Sequence, residues 1–319
     1  MNHGPIFIGG AERSGKTLMR FMLSLHPNIA MTKRTNMWPK FYRRYGDLGQ
    51  KDNFERCLEA MLVYKHVRFL NPNPERIRHE FWQGEPTYAR LFALFQEHHA
   101  EREGKPRWGD QTGLIERYAD PIFAAYPNAR VIHMIRDPRD RYEARLVRGS
   151  HKAGIRRWGK TGIAAASWLY SAGLAIRNQK MYPDRYKVVS FERMVSQPEE
   201  TLRDVCSFLD EMYDPAMLML EGIPRFQKVS ASQAKPVESP LSVEYIGRYH
   251  KLVSKKDIAF IQMVSRQDML AHSYPLEPIR LALVERIHFY AIDCPVNLLS
   301  MSFRYIIESM PHYIPISAK

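Results

Sequence analysis

A short apolar run, Pro5-Ile6-Phe7-Ile8-Gly9, passes directly into Gly10-Ala11-Glu12-Arg13-Ser14-Gly15-Lys16-Thr17, and apolar residues then recur at Leu18, Phe21, Met22 and Leu25. The order is buried strand, glycine-bearing loop, amphipathic helix. The loop satisfies G-x-x-x-x-G-K-[ST] at every position, in the strand–loop–helix context that gives the pattern its meaning. Backbone N–H groups at a helix N-terminus converge on anionic oxygens, the lysine adds a point charge and the threonine a hydroxyl. Such a start restricts the chain to an α/β fold, because a strand handed to a helix returns as a parallel neighbour. An anion binds here, and a nucleotide phosphate is the expected one.

The rest of the chain agrees with that class. Further apolar strands are read at 130–135 and 186–189, and helices at 36–48, 54–64, 138–148, 161–179 and 199–209, with a break at 71–74. The expectation is one domain over residues 1–319: a P-loop-type parallel β-sheet flanked by helices, with a helical insertion at 36–107 and a helical C-terminal extension at 240–319. Hydrophobic residues at 45% and charged residues at 25% are the balance of an ordinary globular core. No run approaches the ~20 apolar residues of a membrane-spanning helix. Cys57, Cys206 and Cys294 lie far apart, which excludes a disulfide framework and a cysteine metal site. With no signal-peptide pattern at the start, a cytoplasmic location is expected. A net charge of +13 favours anionic partners. The apolar stretch at 287–316 is expected to pack on the domain, with a homodimer interface or peripheral membrane contact as alternatives.

The strand at 130–135 ends in Arg136-Asp137-Pro138-Arg139-Asp140. Asp137 in a metal-holding role would suit ATP or GTP with Mg²⁺. Two flanking arginines compete for that carboxylate, and a second anion site built on Arg136 is the better account. Arg141, Arg145, Arg148 and Lys152 follow i, i+4, i+7 and i+11 on one helical face. A solvated face and an anion site are equal readings for Arg141 and Arg145. His26, before a proline, and His133, on a buried strand, read as structural.

Taken in order, these motifs resemble the sulfotransferases that use 3′-phosphoadenosine 5′-phosphosulfate (PAPS). Arg13-Ser14-Gly15 followed by a helix and His26-Pro27 looks like the 5′-phosphosulfate loop, and Arg136-Asp137-Pro138-Arg139-Asp140 like the 3′-phosphate motif. The run Val188-Val189-Ser190-Phe191-Glu192-Arg193 and the helix after it resemble a further family segment. Residues 230–237 look like the cofactor-covering loop of the protein-tyrosine sulfotransferases. The resemblance implies PAPS binding without a metal. Arg13 would reach the 5′-phosphate and the bridging oxygen on which charge develops, and Ser14, Gly15 and Thr17 would donate to the phosphate. Lys16, where the family usually has a hydroxyl residue, would strengthen the anion grip. Arg136 and Arg148 would hold the 3′-phosphate, and Lys235, with Ser230 or Ser232 beside it, would approach from the covering loop.

The proton acceptor is the departure. Gly113 stands where cytosolic members carry a histidine, and Arg34 where the tyrosine sulfotransferases carry a glutamate. Gln111 and Ala144 replace a lysine and a serine. Asp110, read in a turn after Trp108, is the first substitute base, and Glu12 the second. The catalytic candidates are therefore Arg13, Lys16 and Asp110. The acceptor implied is a hydroxyl of a carbohydrate, small metabolite, lipid or protein tyrosine, with the insertion on the acceptor side. A P-loop kinase or NTPase and a non-catalytic nucleotide-binding protein are the other readings. No recognised nucleic-acid module appears, so no nucleic-acid partner is expected.

Overall fold

The computed structural model describes residues 4–149, 159–220 and 241–310. Five strands, β1 (Ile6–Gly9), β2 (Ile29–Lys33), β3 (Arg107–Gln111), β4 (Arg130–Ile135) and β5 (Tyr186–Ser190), form one sheet in the order β2-β3-β1-β4-β5. Every pairing is parallel, with Ile8 beside Gln111 on one flank and Ile132 on the other. The apolar runs expected to be strands are β1, β4 and β5. The sequence reading missed β2 and β3.

Ten helices accompany the strands within residues 4–220: α1 (Lys16–Ser24), α2 (Met37–Phe41), α3 (Lys51–Val63), α4 (Pro74–Phe81), α5 (Tyr88–Arg102), α6 (Ala119–Ala125), α7 (Pro138–Gly149), α8 (Lys160–Met181), α9 (Phe191–Ser196) and α10 (Pro198–Phe208). Side-chain alternation in β1 and β4 divides the core between the two faces of the sheet. Ile6, Ile8, Ile132 and Met134 pack with Met19 and Met22 of α1, Met194 of α9 and Leu202 of α10. Phe7 and Val131 face the opposite side, where Trp38, Phe54, Phe92 and Phe95 gather from α2, α3 and α5. The insertion is thus the β2–β3 crossover, and it supplies much of one core. Its first helix is shorter than expected: Arg43 and Gly46, with φ of +56° and +75°, end the run that the sequence suggested through residue 48.

The C-terminal extension holds α11 (Tyr249–Leu252), α12 (Lys255–Ala271), α13 (Leu283–His288) and α14 (Cys294–Ser309). α14 lies against α8, so closely that a Cβ on Gly162 would stand 2.0 Å from the Asn297 carbonyl oxygen. The Gly162 N–H donates to Asn297 Oδ1 at 2.9 Å, which fixes the register of the two helices. The apolar stretch packs on the domain by one face only, because Leu299, Phe303 and Ile306 on α14 are exposed. Among the described residues no helix is long and apolar enough to cross a membrane.

Candidate active site

The loop after β1 leaves the carboxyl edge of the sheet at its centre, where crossovers diverge toward β2 and β3 on one side and β4 and β5 on the other. Open α/β sheets bind ligands at such a point. Gly15 takes φ +96°, and a Cβ there would meet Phe191 Cδ2 at 2.6 Å, so both backbone and space demand glycine. Arg13 also adopts a left-handed φ of +70°. Ser14 is buried and its hydroxyl donates to the Ala11 carbonyl at 2.8 Å, tightening the turn. Lys16 turns back on the loop: Nζ donates to the Gly10 carbonyl and, at 2.8 Å, to that of Ala11. Burial lowers its pKa to about 8, against the opposing pull of the Glu116 carboxylate. An ammonium held only by neutral carbonyls in a dehydrated setting gains strongly from an arriving anion.

The second anion site lies at the end of β4. The Arg136 guanidinium sits 4.3 Å over the Phe191 ring and donates from Nη2 to the Tyr245 carbonyl at 2.7 Å, while its buried Nε has no partner among the described residues. Burial lowers its pKa, opposed by Asp140, Glu192, Glu143 and Asp137. The acidic residues of the motif have other duties. Asp137 is held by Arg139 at 2.6 Å, and Asp140 accepts N–H groups from Gly247 at 2.7 Å and Tyr249 at 3.0 Å. With Asp137 engaged, Arg136 is the residue of the motif whose buried polar atom has no partner among the described residues. Phe191, buried in the core beneath the loop, touches both sites: its ring edge lies beside Gly15 and its face carries Arg136.

A cavity of about 340 Å³ opens over the loop, lined by Gly10, Glu12 and Lys16, by Arg34, Asn36 and His66, by Gly113 and Glu116, and by Arg141, Arg145, Arg304 and Glu308. Asn36 and His66 belong to the insertion, and Arg304 and Glu308 to α14. Glu308 is buried and pairs with both Arg117 and Arg304. Glu116, unnoticed in the sequence, is buried, and its Oε2 accepts the Gly10 N–H at 3.1 Å. Burial would raise its pKa, yet His133, Lys16 and the Gly10 N–H together hold it below the ordinary value.

Asp110 requires a correction. It lies on β3 and not in a turn, is fully buried, and is absent from the cavity wall. Its carboxylate accepts the hydroxyls of Thr32, Thr35 and Thr112 at 2.8, 2.8 and 2.7 Å, which leaves it no route to an acceptor. Burial raises its pKa against those three bonds. Asp110 ties β2, β3 and the following loops together. Asp110→Ala strands the buried hydroxyls of Thr35 and Thr112, while Thr32 keeps Gln96 Oε1 and the Gly109 carbonyl as acceptors, and is expected to lower unfolding stability by about 2–4 kcal/mol, read from urea denaturation. Unchanged nucleotide binding in the folded fraction would separate this structural role from a catalytic one.

Of the two equal readings for Arg141, burial excludes the solvated face. The Arg141 Nε donates to the Glu12 carbonyl at 2.8 Å while Nη1 donates to that of Ala164 at 2.8 Å. The side chain braces the loop tip against α8. His26 and His133 have structural partners, the Met212 carbonyl at 2.8 Å and the Tyr186 hydroxyl at 2.6 Å. The structure brings Arg13, Ser14, Gly15, Lys16, Thr17 and Arg136 to one edge of the sheet. The Arg148 side chain and Lys235, with Ser230 and Ser232, fall outside the described residues.

Comparison with known proteins bears on the family and the fold. The chain is 24% identical to the protein-tyrosine sulfotransferase of Drosophila melanogaster over 76% of its length, covering 47% of that protein. It is 23% identical to protein-tyrosine sulfotransferase A of Caenorhabditis elegans over 76% of its length, covering 61% of that protein. The chain therefore spans about half the length of the fly relative. Its fold is similar to that of the sulfotransferase domain of the Synechococcus PCC 7002 olefin synthase, with a TM-score of 0.60 at 21% identity over 86% of this chain and 95% of the other. The sulfotransferase domain of the curacin biosynthetic pathway gives 0.54 at 18% identity over 86% and 99%. The sequence profile described as the sulfotransferase family matches residues 5–215, and the chain belongs to that family.

Proposed function

We propose that the protein is a transferase that moves a sulfuryl group from PAPS to an acceptor hydroxyl. The observation that carries this reading is the pair of cation sites joined across one ring: the phosphate loop touches one edge of Phe191 and Arg136 covers its face. A nucleotide with phosphates at both ends of its ribose matches two such sites, and the Arg136 Nε, without a partner among the described residues, is a donor suited to such an oxygen. PAPS supplies an activated sulfuryl group. Lys16 and the first N–H groups of α1 would hold the 5′ end, and Arg13 would neutralise charge on the leaving phosphate oxygen. Arg136 would select the 3′-phosphate. Asn36 and His66 put the insertion on the acceptor side of the loop. The match to tyrosine sulfotransferases supports a hydroxyl acceptor and leaves carbohydrate, small-molecule, lipid and tyrosine acceptors as the candidates.

The test is calorimetric titration with 3′-phosphoadenosine 5′-phosphate (PAP), the nucleotide product, in the presence of a chelator. Micromolar or tighter binding without divalent cation is expected. ATP binding that requires Mg²⁺, with no response to PAP, would replace this reading with a kinase or NTPase.

A further inference from the structure

Glu116 ends a buried hydrogen-bonded chain that the two anion sites do not use. Tyr186 Oη lies 2.6 Å from His133 Nδ1, His133 Nε2 lies 3.2 Å from Ser171 Oγ, and Ser171 Oγ donates to Glu116 Oε1 at 2.9 Å. Burial pushes the tyrosine pKa well up, so its hydroxyl remains a donor. Burial also lowers the His133 pKa to about 4, so the ring is neutral at pH 7. The single serine proton is spent on Glu116, which requires Nε2–H as its own donor and Nδ1 as the acceptor from tyrosine. Every donor in the chain points toward one carboxylate. Its other oxygen accepts the Gly10 N–H, and the residue lines the cavity together with Lys16. Gly113, on the same wall, has no side chain, and a Cβ there would meet nothing within 4 Å. Of the other two carboxylates at the cavity, Glu308 is paired with two arginines, and Glu12 sits exposed at the loop tip.

We infer that Glu116 is the catalytic base that takes the proton of the acceptor hydroxyl, with Ser171 and His133 as its positioning residues. The inference rests on the sulfotransferase reading. In the step, the acceptor oxygen bonds to sulfur and its proton passes to Glu116. The bond from sulfur to the bridging oxygen breaks, and its electron pair stays on the 5′-phosphate of PAP. The proton then leaves through the cavity. The charged or titratable groups around Glu116 are Lys16 from α1, Arg117 beside it, His133 from β4, Tyr186 from β5 and, across the cavity, Arg34 and Arg141.

The experiment uses the full chain and water as the acceptor, following sulfate release from labelled PAPS, alongside PAP calorimetry and an infrared pH titration of the unliganded protein. Glu116→Gln keeps an acceptor for the Gly10 N–H and is expected to lower turnover about 100-fold with PAP affinity within about threefold of wild type. The protonated-carboxyl band that this variant removes identifies Glu116. Ser171→Ala removes one donor and is expected to raise the midpoint of that band and the acidic limb of the turnover profile by about one pH unit. Turnover in Glu116→Gln within about threefold of wild type, or an unmoved infrared midpoint in Ser171→Ala, overturns the assignment while PAP binding stands. If Glu116→Gln does not fold, the parallel shift of band and limb in Ser171→Ala decides. Failure of the wild type to bind PAP removes the sulfotransferase reading and this inference with it.

Discussion

Lys16→Met is expected to act in opposite directions on ligand binding and on the fold. The wild-type ammonium is buried, and among the described residues its direct partners are the Gly10 and Ala11 carbonyls. Its pKa falls from 10.5 in the open chain to about 8 when folded, mainly through burial, a difference of about 3 kcal/mol against the charged form. The sign follows: below pH 8 the folded protein carries this penalty in full, and stability rises with pH between the folded and unfolded values. Methionine removes the penalty but leaves the two carbonyls without their donor. The net gain is therefore smaller, about 1 kcal/mol or ~2 °C in melting temperature. PAP affinity moves the other way, weakening by about 100-fold with the loss of a charge-assisted contact. In the wild type, affinity is full below pH 8 and declines as the amine loses its proton above it. The variant should be flat over that range. Differential scanning calorimetry and PAP titrations at pH 7 and pH 9 check all three; a variant that is destabilised and still binds PAP would contradict the account.

Arg136→Met should remove selectivity without removing the nucleotide site. Methionine retains an apolar contact with Phe191 and deletes the guanidinium. Asp137 and Asp140 keep their own partners, Arg139 and the Gly247 and Tyr249 N–H groups, so the surrounding structure survives. PAP affinity is expected to fall about 100-fold, while affinity for AMP, which lacks the 3′-phosphate, changes by less than about threefold. Paired calorimetric titrations measure the ratio. Equal losses for both nucleotides would mean that Arg136 supports the loop and does not read the 3′-phosphate.

The parts of this molecule legible in the sequence are those whose chemistry is contiguous. Residues 10–17 carry their meaning in one turn of chain, and β1 and β4 announce themselves by apolar runs buried on both faces. β3 did not, because Arg107, Asp110 and Gln111 are buried polar residues, and the partners that hold Arg107 and most of those that hold Asp110 lie far away in sequence. Three threonine hydroxyls make Asp110 tolerable inside the sheet, and two of them come from β2 and the loop after it. Without those contacts in view, Trp108-Gly109-Asp110 reads as a turn. Arg141 stayed undecided for the related reason that its periodicity suits a solvated stripe as well as a site, and only the fold shows α8 covering that face and offering the Ala164 carbonyl. Glu116 lies in the short 3₁₀ turn Ile115–Tyr118, with no motif around it. Its partners, Gly10 and Ser171, are 106 and 55 residues distant, and only the fold brings them together.

The matched family region ends at residue 215, yet part of the wall of the cavity over the loop is built after it. α14 reaches back over the loop with Arg304 and Glu308, and its seating depends on a glycine, Gly162, where any side chain would collide with Asn297. On the proposed function, nucleotide grip and enclosure of the reacting group would therefore reside in different stretches of polypeptide. A version shortened ahead of α14 would retain the loop, Arg136 and Phe191, and with them a handle for nucleotide affinity columns. It would expose the transferring group to bulk water and leave Arg117 without Glu308. Purification by ligand capture would thus select for protein that holds its nucleotide whether or not it can shield the chemistry.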